Sequence, residues 1–143
     1  MSPPVRKVLI YATSPRGLLV FDEPDFPEVP LQVPGGNVEA GEDDLEAAQR
    51  EFMEETGLPC PAEAEFMRVF DYRFERDGVA RRHRRSLFRF RLGGDVPVTW
   101  EHVERSPSNG AAPIRFRLFW IDPREAPSRL GLGMGIGIEG LAG

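Results

Sequence analysis

One stretch of 23 residues constrains this chain more than any other. Between Gly36 and Leu58 it carries eight acids and a single base, Arg50, in a chain of 143 residues whose formal net charge is −5. A helix is written into its second half. Asp43 is a good N-cap, and Glu46 three residues later completes a capping box. Leu45, Ala48 and Phe52 recur on one face. Gly57 followed by Pro59 is a stop signal. The expected helix runs over about residues 43–56. At ~100° per residue, Glu51, Glu54 and Glu55 project within about a quadrant to a third of a turn, and their mean direction lies roughly 100° from the apolar face. Such a helix can bury its apolar stripe and still turn three carboxylates toward a cleft.

Three glutamates at i, i+3 and i+4 repel one another by a few tenths of a kcal/mol per pair. Read alone, they are a solvated helix face, since glutamate is a good surface helix former. Bound divalent cations would reverse the sign of the repulsion. Mg²⁺ and Mn²⁺ both favour carboxylate oxygens, and Mg²⁺ shares its ligand shell with water and substrate phosphates.

The register around the glutamates decides between these readings. Gly36 is followed by five residues and Glu42, then by seven residues and Arg50-Glu51-Phe52-Met53-Glu54-Glu55-Thr56-Gly57-Leu58. This resembles the signature of the Nudix hydrolases, G-x5-E-x7-R-E-U-x-E-E-x-G-U with U a bulky apolar residue, at every specified position. The preceding Val33-Pro34-Gly35 also looks like that family. The resemblance implies an α/β fold, an α/β/α sandwich with a mixed β-sheet. It implies an acid anhydride hydrolase that cleaves a diphosphate bond in a nucleoside diphosphate linked to another moiety by metal-activated water. The substrate would be a nucleoside triphosphate, a dinucleoside polyphosphate or a related nucleotide. Mg²⁺ or Mn²⁺ would be held by Gly36, Glu51, Glu54 and Glu55, with Arg50 orienting a glutamate. The general base is either Glu51 or a loop acid, Glu101 or Glu104, with Glu101 the first choice. Small nucleotides are the implied partners, RNA 5′ ends remain open, and many relatives form homodimers. The alternative is a Nudix-fold module that binds or senses nucleotides or RNA 5′ ends without cleaving them.

Marks of individual branches are missing. The ADP-ribose branch tends to carry a proline about 15 residues beyond the box; here that place is Arg73, and no proline lies between Pro61 and Pro97. Tyr72 falls short of the tyrosine position of the dinucleoside-polyphosphate branch.

Outside the box the charge reverses. Residues 73–91 hold eight arginines and two acids, and Lys7 is the chain's sole lysine. The plain reading is a solvated hairpin. The functional reading is a phosphate clamp in which Arg81 and Arg84 grip phosphate oxygens and Tyr72 stacks on a base. His83 reads as part of the basic run, His102 as a surface or packing residue, and Cys60 as a structural thiol.

Strands are expected at Val5–Ala12, Leu18–Phe21, Phe66–Glu75, Arg84–Leu92 and Ile114–Ile121, with a short one at Leu31–Val33 running into a Pro-Gly-Gly turn. Trp100–Arg105 is ambiguous, and Ser106–Pro113 reads as a loop. Pro123–Leu130 is the best candidate for a second helix. The expectation is one domain over 1–130 and a Gly-rich tail over 131–143. With one cysteine, no apolar run of transmembrane length and no signal-peptide pattern, the expected setting is cytoplasmic, with no membrane partner.

Overall fold

The computed structural model describes residues 3–104 and 112–135. Seven strands form one mixed sheet: β1 (Val5–Ser14), β2 (Gly17–Asp22), β3 (Gly35–Asn37), β4 (Ala64–Arg76), β5 (Val79–Arg91), β6 (Trp100–Glu104) and β7 (Ile114–Ile121). The order is β4-β5-β1-β2-β7-β6. Only the β1–β5 pairing is parallel.

Beside β1 the sheet forks. β2 pairs with β1 only near their shared turn, at Thr13 and Ser14. Further back the two strands part, and the 32–37 segment fills the gap. Gln32 exchanges backbone hydrogen bonds with Phe21 of β2, while Gly35–Asn37 pairs with Lys7–Leu9 of β1. The glycines expected in a turn are therefore strand residues. Their hydrogen bonds come from β1, which no local signal around Pro34 reveals.

The helix α1 (Asp44–Thr56) follows its local code. The Asp43 side chain accepts from the Glu46 backbone, Glu46 reciprocates, and Gly57 closes the helix at φ 74°. A capping pair of this kind contributes about 1 kcal/mol. Ala47, Ala48 and Phe52 are fully buried against Val8, Ile10, Phe88 and Phe90, with the Phe52 and Phe90 rings edge to face at 5.2 Å. Leu45 does not join them. It is 38% exposed and Ala47 takes its place, so the apolar stripe is rotated from the expected one.

The opposite face carries a second core of Leu9, Tyr11, Leu18, Val20 and Leu87. Among the described residues it is covered by a 3-10 turn at Pro123–Glu125 and one helical turn, α2 (Ala126–Arg129). The expected second helix is reduced to these two turns and ends at Leu130, whose backbone is extended. Leu130 and Met134 are buried in this core, so packing continues past residue 130. Residues 136–143 of the Gly-rich segment lie outside the described residues, as do 105–111, which include most of the expected 106–113 loop.

The β4–β5 hairpin is longer than expected. Asp77 (φ 53°) and Gly78 (φ 74°) are both left-handed, the geometry of a two-residue turn, and pairing starts at once with Arg76 and Val79. β6 resolves the ambiguous Trp100 segment, pairing with β7 from Trp100 to Glu104. Among the described residues no helix is long and apolar enough to cross a membrane.

Candidate active site

The fork in the sheet brings β3 over the C-terminal half of α1, and there the acids gather. Gly36 lies so close to Glu51 that a Cβ on it would sit 2.4 Å from the Glu51 carboxyl carbon. Any side chain at this position would displace that carboxylate. Glu55 accepts a hydrogen bond from the Gly35 backbone at 2.7 Å. Glu51 and Glu55 are 3% and 7% exposed, far more buried than an open cleft would leave them. Glu54 is half-exposed beside them.

Arg50 braces the group. Its guanidinium grips both oxygens of Glu42 at 2.7 and 3.0 Å. It also donates to Glu51 at 2.9 Å, to Glu54 at 3.2 Å and to the Asn37 carbonyl at 2.8 Å. One planar cation thus ties the loop, β3 and two turns of helix together, a role that suits the rigid fork of arginine. These hydrogen bonds hold Glu42 down to about 2.

One further acid completes the group. In β6, Trp100, His102 and Glu104 stand opposite Leu118, Phe116 and Ile114 of β7, on the face that packs against α1. Trp100 donates to the Thr56 carbonyl at 2.8 Å, and His102 packs where a Cβ on Gly57 would touch it. Strand alternation sends Glu104 to the same side. Oxygens of Glu51, Glu54 and Glu104 lie within 4.8 Å of one another. Glu101 faces the other way and pairs with Arg115 at 2.7 Å. Counting by twos from the apolar Trp100 is the sequence signal that separates the two acids.

The donor set fits a hard divalent cation. It consists of oxygens alone, and its acids outnumber their single arginine. Burial pushes Glu51 up to about 7 and Glu55 well above the usual carboxylate range, and neighbouring carboxylates add to both shifts. Burial, then Glu54, also raises Glu104. Arg50 offsets only part of this at Glu51 and Glu104, and a metal ion would supply further positive charge.

Two cavities flank Gly35 and Gly36. One of about 350 Å³ contains Glu51, Glu55, Glu104, Glu23 and Lys7. The other, of about 250 Å³, lies toward the second core and takes in Lys7, Tyr72, His83, Arg85 and Met134. Arg76 lines both. Tyr72 is placed here, but the Arg85 guanidinium covers its ring at 4.1 Å and Phe74 stacks beside it at 5.3 Å. Arg81 lies further out, in a cavity of about 520 Å³ at the hairpin end that contains none of the α1 carboxylates. Arg84 is on the α1 face of β5, beside Asp71. His83 is a half-buried member of the Tyr72–Phe74 aromatic group rather than part of a solvated run. Burial, then Lys7, Arg85 and Arg76, lowers it to about 4. Cys60 is half-buried and directs its thiol to the Gln49 carbonyl. The sequence reading passed over Lys7, Arg76 and Arg85; the parity of Leu87 on β5 would have marked Arg85 as inward.

A capped helix presenting braced glutamates beneath a glycine strand suits metal-assisted hydrolysis of a phosphorus-containing anhydride. The family model described as NUDIX domain matches residues 3–135, and the chain belongs to that family. Solved structures of similar fold include a mutator MutT protein from Bacillus halodurans (20% identity, 96% of this chain and 82% of that one, TM-score 0.67). Another is the E. coli dihydroneopterin triphosphate pyrophosphohydrolase (19% identity, 96% and 94% covered, TM-score 0.67). A third is the C. elegans Ap4A hydrolase (19% identity, 89% and 86% covered, TM-score 0.51). No curated protein matches the sequence.

Proposed function

We propose that the chain is a divalent-metal-dependent nucleotide pyrophosphohydrolase that cleaves the diphosphate of a nucleoside diphosphate linked to another moiety. The observation that carries this reading is the convergence of Glu51, Glu54 and Glu104 beneath Gly36, with Arg50 bracing two of the three. Glu51, Glu54 and Glu55, with the Gly36 carbonyl, are the groups assigned to hold Mg²⁺ or Mn²⁺. When bound, the cation supplies positive charge to the diphosphate oxygens and acidity to an attacking water.

The chain's own residues do the rest. Arg50 fixes the rotamers of Glu51 and Glu54, so no reorganisation is needed when substrate arrives. Glu104, on the wall opposite α1, is assigned as the base in place of Glu101. It takes the proton as the water oxygen bonds to phosphorus and the bridging P–O bond breaks, leaving two phosphate-terminated products. Its burial-raised affinity for protons suits that role. A binding module without turnover would need the cations of β5 but would leave the buried glutamates without purpose.

The test is a panel of nucleoside triphosphates, dinucleoside polyphosphates and diphosphate-linked sugars, incubated with Mg²⁺ and with Mn²⁺, with products identified by ³¹P NMR. Metal-dependent release of a phosphomonoester that disappears in Glu54→Gln is expected. Tight, metal-independent nucleotide binding with no turnover would favour the binding module.

A further inference from the structure

Across Gly35 and Gly36 from most of the carboxylates stands a group of cations that outnumber the single acid lining their cavity, Glu55. Lys7 and Arg85 are direct neighbours in the register of β1 and β5. Both side chains belong to the face away from α1, the face lined two residues on by Leu9 and Leu87. Arg76, from the end of β4, lines the same cavity of about 250 Å³. Like charges directly opposite across two strands repel, and burial strengthens that repulsion. Arg85 is only 5% exposed. Its guanidinium donates to the Leu132 carbonyl at 2.7 Å and covers Tyr72.

The contrast within β5 is sharp. Arg82 and Arg84, on the other face, both lie beside Asp71. Lys7, Arg76 and Arg85 form no ion pair with a carboxylate among the described residues. Burial, then Arg85, lowers Lys7 while Glu51 and Glu55 act in the opposite direction, and burial brings Arg85 down to about 10. A cluster in which Arg85 is buried, Lys7 half-buried and Arg76 exposed at the rim is completed by an anion, and arginine and lysine together are suited to phosphate oxygens.

The position of the cluster says which anion. Lys7 and Arg76 also line the cavity that holds Glu51 and Glu104, so the two cavities adjoin across Gly35 and Gly36. Neither glycine has a side chain to divide them. We propose that Lys7, Arg76 and Arg85 form a subsite for a substrate phosphate beyond the scissile diphosphate, selecting chains of three or more phosphates over a diphosphate linked to a neutral group. This rests on the hydrolase reading above. It moves the phosphate clamp from Arg81 and Arg84 to cations that face inward.

Inorganic tripolyphosphate, titrated calorimetrically into the full chain in the presence of EDTA, tests the subsite without turnover. Wild type binds it. Lys7→Gln and Arg85→Gln weaken binding about tenfold or more, the effect of losing one charge-assisted contact. Arg84→Gln, on the opposite face of the same strand, leaves it unchanged. Lys7→Gln keeps the test open if Arg85→Gln fails to fold, because Lys7 makes no side-chain hydrogen bond among the described residues. With metal present, tripolyphosphate inhibits competitively, and Lys7→Gln raises KM for a nucleoside triphosphate but not for a diphosphate-linked sugar. Absence of metal-free binding, wild-type affinity in folded Lys7→Gln, or non-competitive inhibition would overturn the proposal. A protein that binds tripolyphosphate in this way yet turns nothing over keeps the subsite and loses the hydrolase assignment.

Discussion

Two ionic clusters meet at Gly35 and Gly36, and they are built in opposite ways. On the α1 side, Glu42, Glu51 and Glu54 share Arg50, and Glu55 is held by a backbone amide. On the β5 side, Lys7, Arg76 and Arg85 stand together with aromatic and carbonyl contacts, and they outnumber the one acid of their cavity, Glu55, with which none of them forms an ion pair. Position is fixed in both, by hydrogen bonds in the first and by strand register in the second. Neither is neutral. One side has acid in excess and the other base, which is how a site is arranged when the missing charges arrive with metal ions and a phosphate chain.

The largest break in this arrangement should come from Glu54→Gln. The residue is half-exposed, so the fold and melting temperature should hold while kcat/KM falls on the order of 10³-fold, the loss of several kcal/mol of metal-assisted stabilisation. Glu104→Gln should lower kcat about 100-fold or more, as removal of a general base does. Glu101→Gln, three residues earlier and on the other face of β6, should stay within about twofold. If the two variants exchange behaviour, the assignment of the β6 faces is wrong.

Arg50→Met removes the brace and leaves Glu42 and Glu51 without their cation. A loss of about 3 kcal/mol in urea unfolding is expected, in the range for breaking a partly buried ion pair from one side. The acid excess should also show as a pH slope. Glu51 is raised to about 7 from an ordinary value of 4.5, so the folded state holds a proton that the unfolded state has released. Its contribution is present below about pH 4.5 and is lost as pH rises through about 7. Metal-free stability should therefore fall over that window, and saturating Mg²⁺ should flatten the slope. A metal-free stability that rises between about pH 5 and 7 would contradict the burial argument. The smallest effect belongs to Arg84→Gln. This half-exposed arginine beside Asp71 should change stability by less than about 0.5 kcal/mol and leave activity intact.

What the sequence revealed was what is encoded locally. Asp43, Glu46 and Gly57 mark the ends of α1 by contacts three or four residues apart, and the helix ends there. Asp77-Gly78 marks the hairpin in the same way. Gly36, Glu51 and Glu54 stood out because their spacing survives as a pattern. Leu45 misled because both candidate faces of the helix were apolar on paper, and only the placement of β1 and β5 selects Ala47. The strand character of Gly35–Asn37 depends on β1, nearly thirty residues earlier. The pairing of Lys7 with Arg85 depends on a parallel register between segments far apart in the chain. No window of sequence contains either partner set. Glu104 and Glu101 were both visible as acids, and the tertiary packing of Trp100 against Thr56 sets which of them turns inward.

The central claim is that the α1 glutamates beneath Gly36 are a metal site short of positive charge. Mn²⁺ titration by calorimetry, in two buffers of different ionisation enthalpy near pH 7, tests it most directly. The account predicts Mn²⁺ binding to wild type with release of protons from the buried carboxylates, and binding weakened at least about tenfold in Glu54→Gln. Equal affinity in wild type and Glu54→Gln, with no protons released, would contradict it.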